Sequence, residues 1–154
     1  PEFRGYDLNG TVLDAARKNM EAAGREDAIR LTKKNSAEFK RPTHKQLNHG
    51  LFICNPPYGE RLGEIEALRD DYRKLAQVAK AELPGWKMAV FTGNSELGKE
   101  LRLRAEKRYK FFNGTISSEL LLYQLLGDEA KLRVEKEDDD APENIRLSEG
   151  AEMV

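Results

Sequence analysis

At 154 residues and 17.5 kDa the chain is long enough for one domain with a buried core. Charged residues make up 34% and apolar ones 39%, mean hydropathy is -0.72, and no apolar run approaches the roughly 20 residues of a membrane span. The 26 basic and 27 acidic side chains give a net charge of -1, which excludes a uniformly basic nucleic-acid binder.

Residues 3–8 alternate weakly and predict a short strand. Asn9 or Thr11 then caps a helix to about Ala23, with Val12, Leu13, Ala16 and Met20 on one face and Gly24 as its stop. Residues 28–32 predict a second strand, and a polar stretch follows to Gly50. Residues 51–54 (LFIC) form a compact apolar run, as expected of a strand buried on both faces. It leads into Asn55-Pro56-Pro57-Tyr58-Gly59, which continues neither a ladder nor a helix interior. A long amphipathic helix carries Ile65, Leu68, Tyr72, Leu75, Ala79 and Leu83, and Pro84-Gly85 ends it. Residues 86–92 (WKMAVFT) predict an apolar strand, Gly93-Asn94-Ser95 opens a helix to about Leu103, and residues 108–112 and 116–126 predict two strands joined through Asn113-Gly114. On propensity the last segment scores equally as a helix.

Charge is unevenly spread. Residues 128–154 hold 10 acids and 4 bases, net -6, which leaves 22 bases and 17 acids, net +5, for residues 1–127. The expected organisation is a folded body over residues 1–127 and an acidic tail or linker over 128–154. A single cysteine excludes an internal disulfide, and with two histidines it supplies no zinc site alone, so no metal is expected. No signal peptide is visible, and a cytoplasmic setting is expected. The chain begins at Pro1, already inside a strand-like segment, as though cut from something longer.

The element order predicts a parallel α/β sheet with right-handed crossovers that ends in an antiparallel hairpin. Ligands of such sheets sit beyond the carboxyl ends of the strands, where Asp7-Leu8-Asn9 and Asn55-Pro56-Pro57-Tyr58 both fall. Two prolines after a strand fix a rigid turn and leave carbonyls without local N–H partners. With the Asn55 side-chain oxygen they form acceptors converging on one point, suited to orienting an exocyclic amine. Tyr58 adds a flat face for a planar base, a contact worth roughly 1–3 kcal/mol. A plain proline turn is the simpler reading of the same four residues.

Asn55-Pro56-Pro57-Tyr58 matches motif IV of the amino-methyltransferases. The longer runs CNPPYGERLGE, WKMAVFTGN, LRLRAEKRYKFFNG and GYDLNGTVLDAARKN resemble the bacterial 23S rRNA guanine-N2-methyltransferase family, from about Arg4 to Tyr123. The resemblance implies a Rossmann-like methyltransferase sheet, S-adenosylmethionine as cofactor, and 23S ribosomal RNA as partner. It implies that Asp7 accepts both ribose hydroxyls, that Leu8 packs on adenine, and that Asn35 stands near the adenine amine, where the family usually has aspartate. Asn55 and the Pro56 carbonyl would hold the guanine N2 amine on the turn fixed by Pro57, with Tyr58 stacked on the base. No general base is evident, and proximity to an activated methyl supplies much of the rate.

The simpler readings stand beside these: Asp7 as a helix-start acid, Asn35 as a turn residue, Cys54 as a small core side chain, His44 and His49 as surface residues. Lys99, Arg102, Arg104, Lys107, Arg108 and Lys110 are candidates for RNA phosphates or a solvated helix face, and Lys40, Arg41, Lys45 and Arg61 are weaker candidates.

The family's first strand and glycine-rich loop do not precede Asp7, so the sheet is expected to be incomplete. That strand would lie between the strands ending at Leu8 and Cys54, leaving two open edges. Direct pairing of these edges, self-association by swapping or dimerisation, or a companion segment would close them. Residues 146–154 (RLSEGAEMV) resemble a junction leading to a second methyltransferase domain. Two alternatives remain: another amino-methyltransferase with the same tetrapeptide, acting on DNA adenine or protein glutamine, and a non-catalytic binding fragment.

Overall fold

The computed structural model describes residues 2–59 and 62–127; Arg61, the acidic tail and the 146–154 junction fall outside them. Strand β1 (Phe3–Asp7) pairs in parallel with β2 (Ile29–Lys33), with Gly5 opposite Leu31, and helix α1 (Gly10–Ala22) makes the crossover. Asn9 is the cap: its Oδ1 accepts the Thr11 N–H at 2.9 Å. Gly24 takes φ +62° just past the helix end, a conformation that favours glycine. Leu13 buries as its spacing predicts, whereas Val12 stays 49% exposed.

The other four strands form a separate sheet in the order β3-β4-β6-β5. Strand β3 (Leu51–Cys54) runs parallel to β4 (Lys87–Thr92), and β6 (Ile116–Gln124) inserts antiparallel between β4 and β5 (Lys107–Asn113). Helices α2 (Leu62–Glu82) and α3 (Ser95–Glu100) lie on one face. Met88 and Val90 on β4 and Leu121 and Tyr123 on β6 pack there against Tyr72, Leu75, Ala79 and Leu83 of the α2 stretch. Each fully buried aliphatic in this cluster contributes roughly 1.5–3 kcal/mol. The Tyr72 hydroxyl, buried in the same layer, meets Thr92 Oγ1 at 2.9 Å.

Two expectations need revision, and one open alternative is decided. Residues 116–124 form a strand, because pairing to both neighbours and burial of alternate side chains outweigh helix propensity. Helix α3 stops at Glu100, short of Leu103, and Arg102 follows with φ 50°. Strand β3 is buried on one face only: Leu51 and Ile53 are 60% and 65% exposed. It is an edge strand, and both helices of its sheet cover the opposite face.

Among the described residues β1 and β3 do not pair, so direct pairing, one of the three closures expected, is not seen. The two sheets meet instead through one aromatic wedge. Phe39, 7% exposed, meets Tyr6 of β1 edge-on at 5.5 Å and Phe52 of β3 at 5.5 Å. No helix among the described residues is long and apolar enough to cross a membrane.

Candidate active site

A cavity of about 980 Å³ lies between the two sheets. The carboxyl ends of β1 and β3 open into it, so the two polar clusters on the chain line one space. Asp7, Leu8 and Asn35 line it together with Asn55, Pro56, Pro57 and Tyr58. Every residue singled out for cofactor or base is therefore brought together.

On the β1 wall, Asp7 is the last residue of its strand. Its Oδ1 accepts the Asn9 N–H at 2.7 Å, and its carbonyl accepts the Lys34 N–H at 3.0 Å. The second carboxylate oxygen has no protein partner among the described residues and is free to accept hydroxyl donors. Leu8 is 60% exposed and offers an apolar surface to the cavity. Asn35 proves to be a cap as well as a lining residue. Its Oδ1 accepts the Ala37 N–H at 2.9 Å and starts a single 3-10 turn, Ser36–Glu38. One lone pair of that oxygen is thereby committed to the backbone, which leaves the other for an amine.

On the β3 wall the 55–58 turn contributes no backbone hydrogen bond among the described residues. Among the described residues the Asn55 side chain and the Asn55 and Pro56 carbonyls have no protein partner, and both residues line the cavity. Tyr58 is held from behind. A Cβ built on Gly93 would stand 2.9 Å from Tyr58 Cε2 and 3.1 Å from Ile116 Cγ2, so the ring lies close over the turn after β4 and beside the start of β6. Gly93, Ile116 and Phe39 support the site without belonging to its tetrapeptide motif. Only the glycine directly after an apolar strand carried a local signal for its part.

Cys54 lines the same cavity but is chemically quiet. Burial pushes its thiol up to about 12, and its Sγ leans toward the Ala89 carbonyl at 3.8 Å. His44 is exposed and contacts Glu2 Oε2 at 2.7 Å, and no His, Cys, Asp or Glu group among the described residues is arranged to hold a metal. Lys40 and Arg41 have structural work. Lys40 Nζ donates to Glu82 Oε1 at 2.8 Å, the Arg41 N–H donates to Glu82 Oε2 at 3.0 Å, and Arg41 Nη1 donates to the Leu47 carbonyl at 3.2 Å. These contacts hold the Glu82 carboxyl below the usual carboxylate range and pin the 40–47 loop, whose Pro42 and Leu47 line the cavity.

Comparison with known proteins shows the family and the fold. The profile of the RMKL-like methyltransferase domain matches residues 1–121. The ribosomal RNA large subunit methyltransferase K/L of Cellvibrio japonicus is 52% identical over 128 residues, which cover 83% of this chain and 17% of that protein. Its counterpart in Saccharophagus degradans is 51% identical over 133 residues, covering 86% of this chain and 18% of that one. The chain thus spans less than a fifth of the length of these relatives. Among solved structures, SMU.472, complexed with SAH, superposes with a TM-score of 0.71 at 28% identity, covering 79% of this chain and 31% of that chain. The α/β architecture is therefore that of the Rossmann-like methyltransferases, and the chain belongs to the RMKL-like methyltransferase domain family.

Proposed function

We propose that this chain supplies the base pocket and part of the cofactor site of an S-adenosylmethionine-dependent enzyme that methylates the exocyclic N2 amine of a guanine in 23S ribosomal RNA. One observation carries the reading: Asp7 and Leu8 line a single cavity together with Asn55, Pro56 and Tyr58. The residues fit the cofactor chemically, since Asp7 keeps one carboxylate oxygen free and Leu8 presents an apolar face.

S-adenosylmethionine supplies an activated methyl group. Asp7 would accept the ribose hydroxyls, Leu8 would pack on adenine and Asn35 would accept the adenine amine. Asn55 and the Pro56 carbonyl accept the two N–H bonds of guanine N2, which turns the nitrogen lone pair toward the methyl. Tyr58, backed by Gly93, stacks on the base. With the methyl group supplied by the cofactor, N2 would release its proton to solvent while Asn55 and the Pro56 carbonyl held the amine in place. No cysteine takes part, in keeping with the elevated Cys54 pKa.

Residues 1–127 act in this reading as the folded unit, residues 128–154 as an acidic linker, and the whole protein works in the cytoplasm. Activity belongs to the longer protein, and the chain alone is expected to bind cofactor weakly or not at all. Its β1 and β3 edges, open among the described residues, support self-association or pairing with a further strand. The test is tritium transfer from labelled S-adenosylmethionine by the longer protein. Label is expected in 23S rRNA, recovered as N2-methylguanine. Label in DNA adenine or in release-factor glutamine would replace this reading with another amino-methyltransferase.

A further inference from the structure

We infer that β5 is a docking strip for single-stranded RNA that leads to the lip of the cavity, an inference resting on the proposal that the substrate is RNA. The strand reads KRYKFFN, three cations and three aromatics in seven residues, and all seven are exposed. Among the described residues it is the outermost strand of its sheet and pairs only with β6. Strand alternation puts Arg108, Lys110 and Phe112 on one face, and Lys107, Tyr109 and Phe111 on the other.

Among the described residues the cations there pair with no carboxylate. Arg4, Arg17, Lys40, Arg69, Arg73 and Lys99 each hold a carboxylate. Among the described residues Lys107, Arg108 and Lys110 hold none, although Glu119 lies directly across from Lys110. Cations without acidic partners lose no ion pair when a phosphate arrives. Phe112 is 77% exposed, the largest exposure of any large apolar side chain among the described residues. Its position gives that exposure a direction. Asn113 pairs with Ile116, and Ile116 lies beside Gly93 in the turn that backs Tyr58.

Side chains on one face of a strand recur every ~6.8 Å, a step suited to successive nucleotides of an extended chain. Arg108 and Lys110 would neutralise phosphates and Phe112 would stack on a base flanking the target. Aromatic–base stacking tolerates any sequence, so the strip orients the strand and leaves base choice to the pocket.

The test is fluorescence anisotropy with a labelled 12-nucleotide single-stranded RNA, titrated with the full chain at several salt concentrations and without methyl donor. The double variant Arg108→Gln/Lys110→Gln should bind about tenfold more weakly, and its log K against log salt slope should be shallower by ~1.4, or ~0.7 for each lost phosphate contact. Phe112→Ala should weaken binding about fivefold or more with the slope unchanged. Lys18→Gln/Lys74→Gln, an equal charge change on exposed positions of α1 and α2, should bind like wild type. Equal loss in that control, strip variants that match wild type, or a wild type that binds no RNA would each overturn the inference. Failure of the strip is distinct from failure of the reaction. Unaltered RNA binding by the strip variants beside normal transfer into rRNA defeats the strip alone, whereas strip-dependent binding without transfer defeats only the assigned reaction.

Discussion

Tyr58 occupies the space that a side chain at position 93 would need, its Cε2 2.9 Å from where the β-carbon would stand. The smallest possible enlargement there is Gly93→Ala. Overpacking of this kind costs about 1–3 kcal/mol and here pushes the ring out into the cavity. Transfer by the longer protein is expected to fall about ten- to hundredfold in kcat/KM, with the circular dichroism spectrum retained. An alanine variant with wild-type kcat/KM would remove Tyr58 from the base pocket.

Asn55 makes no hydrogen bond within the described protein, so trimming it leaves no orphaned partner behind. Asn55→Ala should change unfolding free energy by no more than about 0.5 kcal/mol, as exposed positions generally do. Methyl transfer should fall by about a hundredfold or more, because an oriented acceptor at the reacting nitrogen is lost. Cofactor affinity, measured by calorimetry on the longer protein, should stay within about twofold. A variant that still transfers at the parental rate would reduce the turn to scaffolding.

Asp7 separates charge from shape. Asp7→Asn keeps an oxygen to receive the Asn9 N–H, so the end of β1 stays in place. What disappears is the anionic acceptor for two hydroxyls. Hydrogen bonds to charged groups contribute about 1.5–3 kcal/mol, so the cofactor Kd should rise about ten- to hundredfold. Calorimetry reads this directly, and an unchanged Kd would return Asp7 to the role of a helix-start acid.

Acid should loosen the 40–47 loop. The Lys40 side chain, and secondarily the Arg41 backbone, lower the Glu82 pKa below its unfolded value. A depressed carboxylate contributes stability that is present above about pH 4.3 and lost as pH falls through the lower folded pKa. Thermal unfolding followed from pH 7 to pH 2 should show this loss. Glu82→Gln should start lower at pH 7 and decline less steeply. Parallel curves for the two proteins would assign the acid sensitivity to other carboxylates.

Local grammar carried most of what could be read from the chain. Asn9 capping, the Gly24 stop, the spacing of Tyr72, Leu75 and Ala79, and the Asn113-Gly114 turn are all short-range signals, and the structure follows each of them. The 51–54 run misled because composition reports apolarity and not the number of covered faces. Leu51 and Ile53 are as apolar as any core residue, yet the helices lie on the other side. Residues 116–124 were ambiguous because two neighbouring strands, distant in sequence, decide their conformation. The positions nominated for the site do line one cavity. The supports behind them escaped notice, since Gly93 under Tyr58 and Phe39 between Tyr6 and Phe52 are relationships between segments far apart in the chain.

The wedge of Phe39 also has a thermodynamic side. One wall of the cavity belongs to the β1–β2 sheet and the other to the four-stranded sheet, and no strand ladder among the described residues ties them. Their separation is therefore governed by side-chain packing, which yields more readily than a ladder of backbone hydrogen bonds. If a ligand on the β1 wall draws Tyr6 and Phe52 closer about Phe39, it raises the affinity of the β3 wall by some factor. Reciprocity then requires a ligand on the β3 wall to raise affinity at the β1 wall by that same factor. Shortening Phe39 would weaken the coupling between the two ligands even where each still bound alone.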